Sequence, residues 1–207
     1  MNEIIFDTRT SLQKVGSICG DIINDYVPIK SEEMFNYFIE FMPRFKITNI
    51  QLIKGSRISF LKGCTNIKHI YVKFKVDNID VLSKNPVQTI SMNKFDGNLE
   101  PLRESKLNLI HMNSFTGDLS PLKGLPIVEI VMNKFDGNLH PLYGAPIRKI
   151  CMNSFTGELE PLKMSPIKHI SMDRFNGILV LFLKVILNVK LHIYICGIFI
   201  YLKIETR

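Results

Sequence analysis

The side chains best suited to chemistry in this chain are five histidines (His69, His111, His140, His169 and His192) and four cysteines (Cys19, Cys64, Cys151 and Cys196). A metal site would draw several of them together, at spacings such as C-x-x-C or H-E-x-x-H. Neither spacing occurs. A phosphate-cradling loop would read G-x-G-x-x-G or G-x-x-x-x-G-K-[ST]; both are missing too. Asp96 and Asp136 could act as acids or bases, but they stand in near-identical stretches, NKFDGNL at 93–99 and 133–139. A duplicated acid reads as structural rather than catalytic. The expectation is a non-enzyme with no metal and no cofactor. Cysteines at these spacings suit reduced thiols in the cytoplasm.

Those recurring stretches expose the organisation of the chain. Ile90, Ile110, Ile130, Ile150 and Ile170 are spaced by 20 residues. Val87, Leu107, Ile127, Ile147 and Ile167 precede them by three, and Met92, Met112, Met132, Met152 and Met172 follow by two. The unit is P-I-x-x-I-x-M-N-x-F-x-G-x-L-x-P-L plus three variable residues. Ile47, Ile50 and Leu52, then Ile67, Ile70 and Val72, extend the frame backwards. Fixed periods of this kind mark stacked repeats. A 40-residue alternation, NKFDGN then NSFTG, points to duplication of a two-repeat block.

The I-x-x-I-x-M segment is short and β-branched, so it predicts one strand per repeat. The preceding proline opens that strand. The glycine of F-x-G supplies a corner at positive φ. The residue before Pro101 and its equivalents is pushed toward extended geometry, leaving no room for an α-helix opposite the strand. One such coil buries too little to stand alone, so neighbours must stack. The Phe95, Phe115, Phe135, Phe155 and Phe175 slot should then form an internal column. His69 and His169 would occupy equivalent slots five coils apart, about 24 Å at strand spacing, too far to share a metal.

The stretch D-L-S-P-L-K-G-L-P-I-V-E-I-V-M, residues 118–132, resembles a leucine-rich repeat of a short variety. The resemblance covers 47 to about 177 and departs in one respect. Phe135 and its equivalents hold the place of the family's buried asparagine. What the resemblance implies is a mostly β fold: a parallel β-solenoid of leucine-rich-repeat type, with one strand per 20-residue coil and few or no convex helices. It also implies that the variable strand positions form the concave, partner-binding face. Those positions include Lys68, His69, Tyr71, His111, Glu129, Arg148, Lys149, Lys168 and His169. The face would be basic at both ends and apolar at Leu109, Val128 and Val131. The expected partner is another protein. A nucleic acid or anionic surface is the alternative, although only Tyr71 offers a stacking ring there. A merely solvated surface is the plainest reading of all.

The flanks are read as caps. Residues 1–46 predict a helical N-terminal cap: Leu12 to Ile23 place apolar residues on one face, and Ser31 begins a second amphipathic run that Pro43 stops. An F-box-like adaptor is an alternative there, but its motif is missing. Residues 178–207 are read as a diverged coil or cap, with Ile186, Val189 and Leu191 in the strand slots and 195–203 overlaying 95–103. The alternatives are a membrane segment at 178–202 or a tail from a shifted reading frame. Of the net charge of +7, the first 46 residues carry −2, residues 47–177 carry +6 and the remainder +3. A mild excess of this size suits an acidic partner or a solvated surface equally.

Overall fold

The computed structural model describes residues 27–29, 48–52, 58–62, 64–175, 190–195 and 198–203. Ten strands form one sheet in sequence order: β1 (Val27–Ile29), β2 (Asn49–Leu52), β3 (His69–Val72), β4 (Thr89–Met92), β5 (Leu109–His111), β6 (Glu129–Val131), β7 (Lys149–Cys151), β8 (His169–Met172), β9 (Lys190–Ile195) and β10 (Ile198–Lys203). The seven strands β2 to β8 are parallel, and their register steps by twenty residues throughout. Ile50 pairs with Ile70, which pairs with Ile90, and so on to Ile170. One repeat is thus one circuit of the chain, a solenoid-like arrangement in which like side chains stack.

The core follows from that register. The isoleucines of the strand centres, the apolar residues three places earlier and the methionines two places later are buried. Two leucine columns, Leu99 to Leu159 and Leu102 to Leu162, close the opposite wall. Phe95, Phe115, Phe135 and Phe155 are buried between the walls. Ring centroids of Phe95 and Phe115 lie 6.4 Å apart with planes within 8°, and Phe115–Phe135 and Phe155–Phe175 repeat that stack. Burying one such ring is worth about 1.5–3 kcal/mol.

Opposite the strands, each described coil from Asp80 onward turns through one 3₁₀ turn: Asp80–Leu82, Glu100–Leu102, Ser120–Leu122, His140–Leu142 and Glu160–Leu162. The expectation of extended geometry before Pro101 is corrected here. The proline occupies the first turn of the 3₁₀ helix, where its missing N–H costs nothing. Short side chains secure the entry. Asn98 accepts from the Glu100 N–H (2.9 Å), Asp118 from Ser120 (2.9 Å) and Asn138 from His140 (2.8 Å). These are Asx turns, a use to which Asn and Asp are suited. The proline before the strand does not open it either. It centres a three-residue turn three places earlier, as in Ile127 N–H to Leu125 C=O at 2.8 Å.

The glycine reading also needs correction. Among the described residues, positive φ occurs at Gly124 and Gly144, in the turn after the 3₁₀ segment. The F-x-G glycines serve a different need. A Cβ at Gly137 would come within 2.9 Å of the Phe135 ring, and one at Gly97 within 2.7 Å of the Asp77 carbonyl oxygen. They are glycine because the buried phenylalanine turns back against its own backbone.

At the flanks, the two helical runs expected within 1–46 lie outside the described residues. Between them, β1 adds a parallel strand, Val27 beside Ile50. At the other end β9 pairs in parallel with β8, but Ile193 stands opposite Ile170 where Val189 was expected. β10 then folds back antiparallel, Phe199 opposite Tyr194, rather than completing another coil. Only two residues separate β9 from β10, a spacing that antiparallel strands accept and parallel ones cannot. No helix among the described residues is long and apolar enough to cross a membrane.

Candidate functional site

The strand face carries three columns. The first runs Lys68, Gln88, Asn108, Val128, Arg148 and Lys168. Backbone bonds join it from coil to coil: Arg148 N–H to Val128 C=O at 2.8 Å and Lys168 N–H to Arg148 C=O at 2.8 Å. The second runs His69, Thr89, Leu109, Glu129, Lys149 and His169, and the third Tyr71, Ser91, His111, Val131, Cys151 and Ser171. Strand pleating puts the second and third columns on the face away from the isoleucines, and the first column, one residue before each strand, borders that face. Lys68, Val128, Arg148 and Lys168 are exposed, and most residues of the other columns are half-buried.

Glu129 is the electrostatic hub. Its Oε1 receives the Lys149 ammonium at 2.8 Å and lies 2.9 Å from His111 Nε2. Partial burial works to raise its pKa, but the hydrogen bonds from Lys149 and His111 outweigh burial and hold it below the usual glutamate range. Lys149 is correspondingly raised by its bond to Glu129. Cys151, beside Lys149 on the same strand, is pushed up by burial, so its thiol stays protonated at neutral pH. Burial and the neighbouring Lys68 both lower His69. The Lys73 ammonium sits 5.8 Å from the centre of the Tyr71 ring, a cation–π contact.

The predicted residues therefore divide into groups. His111, Glu129 and Lys149 are brought into contact, while Arg148, Lys168 and His169 flank them on adjacent coils. Lys68, His69 and Tyr71 stand four coils from Arg148 and Lys149, about 19 Å away at strand spacing. They belong to a separate region of the same face. Among the described residues no carboxylate pairs with Lys68, Arg148 or Lys168. Nor do any three His, Cys, Asp or Glu side chains converge as a metal would require.

Val128, expected in the apolar middle of the face, is 36% exposed beside Arg148. One feature escaped the sequence reading, the role of the duplicated acids. Asp96 accepts from the Thr116 N–H (2.7 Å) and hydroxyl (2.9 Å) of the next coil, and Asp136 does the same for Thr156 (2.6 and 3.0 Å). The D/T alternation is a cross-coil clasp.

The chain matches no protein-family model and none of the curated proteins.

Proposed function

We propose that this protein is a non-catalytic, leucine-rich-repeat-like scaffold of the reducing cytoplasm whose strand face binds another protein. One contrast carries the reading. The buried column Ile50–Ile170 is the same residue in every coil, whereas the mostly exposed column two residues earlier reads Thr, Lys, Gln, Asn, Val, Arg, Lys. A surface kept flat by an invariant core and changed in chemistry from coil to coil is suited to recognising an extended, heterogeneous partner. Candidate contact residues are those of the two groups, with Val128 and Leu109 between them.

The test is affinity capture from the source cytoplasm with the full chain and two variants, the partner being identified and its binding then measured in purified form. Lys149→Glu sets a second acid beside Glu129 and should abolish binding. Lys123→Glu, on the turn side, should leave it unchanged. Equal loss in both, or in neither, rejects the strand face as the contact surface. A nucleic acid or anionic surface is the second reading, supported by Lys68, Arg148 and Lys168, which have no carboxylate partner among the described residues. It requires affinity that falls steeply with added salt.

A further inference from the structure

Like charges placed directly opposite one another across a strand pair are unfavourable. The strand face treats its cations in two ways. In the middle column Glu129 and Lys149 are neighbours in register, opposite charges bonded at 2.8 Å. In the outer column Arg148 and Lys168 are neighbours in the same sense, both exposed and both without a carboxylate partner among the described residues. The coil on the other side of Arg148 contributes Val128, 36% exposed, with Val131 half-buried on the same strand. Three consecutive coils thus offer an apolar contact, then two cations, in a straight line.

We infer that this line receives an acidic segment of the partner protein, in extended conformation, with a carboxylate between Arg148 and Lys168 and an apolar side chain on Val128. The inference rests on the strand face being the binding surface and names what it binds. Its geometry is specific. Coils step by about 4.8 Å, so a point midway between Arg148 and Lys168 lies about 7 Å from Val128. An extended chain rises about 6.6–6.8 Å over two residues, and residues two apart point to the same side. The matching pattern is an apolar residue and an Asp or Glu separated by one residue, in either chain direction. Glu129 sharpens the choice. It neutralises Lys149 and repels any acid placed over the middle column, so the carboxylate is confined to the outer one. Arginine supplies a fork that grips a carboxylate through two parallel bonds, and lysine adds a point charge.

A library of random linear peptides displayed on phage and selected on the full chain tests this. Enriched peptides should carry the apolar-x-acid pattern. A synthetic peptide from that set should lose at least about tenfold in affinity for R148E/K168E. The same peptide with lysine in place of its acid should bind R148E/K168E better than it binds the native chain. Both residues are exposed and have no carboxylate partner among the described residues, so the double variant should keep the native thermal transition; R148Q/K168Q offers a milder change if it does not. Enrichment without acids, no enrichment, or undiminished binding to both double variants overturns the inference. If in that case Val128→Glu still abolishes binding, the strand-face reading survives and only the acidic segment is lost. If no face variant matters, both fall. A random-sequence oligonucleotide that displaces the peptide and binds more tightly would also overturn it, in favour of a polyanion.

Discussion

The turn side and the strand side of this molecule use their polar residues differently. On the turn side they are mostly bonded to the molecule itself. Asn98, Asp118 and Asn138 hold 3₁₀ turns, and Glu100 pairs with Arg103, whose second guanidinium nitrogen lies 2.7 Å from the carboxylate. Asp96 and Asp136, at the corner between the two sides, clasp the following coil. On the strand side the Glu129 cluster is satisfied internally, while Val128, Arg148 and Lys168 are left to solvent. Side chains of similar exposure thus differ in whether they fasten the fold. Substitutions should separate the two kinds: those on one side should change stability and those on the other should change binding.

The largest effect should come from the core that both sides share. Phe135→Ala removes a buried ring stacked on Phe115 and should cost about 3–5 kcal/mol, read as a lowered midpoint of denaturant unfolding. A loss confined to one end of the chain, with the rest unfolding at its native midpoint, would show that the coils are not one cooperative unit. Next in size, Asp136→Ala breaks the clasp to Thr156 and should cost about 0.5–1.5 kcal/mol. Arg148→Ala should stay within about 0.5 kcal/mol. If the two values were reversed, the division between the sides would fail.

The smallest effect concerns pH. The Glu129 carboxyl is held below its unfolded value of about 4.3. Its contribution to stability is therefore present above that pH and disappears as the pH falls through the lower folded value. Glu129→Gln removes this dependence. The native chain should lose more stability than the variant between about pH 5 and pH 3. The lowered carboxyls of Glu100 and Asp118 act equally in both proteins and cancel from the comparison. Parallel acid profiles would show that the Glu129 bonds do not persist in solution.

The parts of this architecture legible in the sequence are those that depend on spacing alone. Ile50 to Ile170 fix the register, and the face columns follow from it by alternation. What depended on the shape of a turn was not legible. The F-x-G glycine looked like a left-handed corner, because nothing in the sequence shows that Phe135 folds back over Gly137. Pro101 looked like a marker of extended chain because the Asx turn that admits it into a 3₁₀ segment involves a side chain three residues earlier. The C-terminal strand was misplaced by four residues, since an apolar run without the repeat's F-x-G-x-L-x-P-L spacing fits several frames. The Glu129 cluster was visible as three candidate residues but not as a contact, which needs the register and the side-chain reach together.

The clasp from Asp96 to Thr116, and again from Asp136 to Thr156, sets a rule for how the gene can grow. Inserting or excising forty residues leaves every aspartate under a threonine. A change of twenty would set carboxylate against carboxylate, or threonine against threonine, at the splice. The molecule can lengthen or shorten its sheet, but cleanly only in pairs of coils.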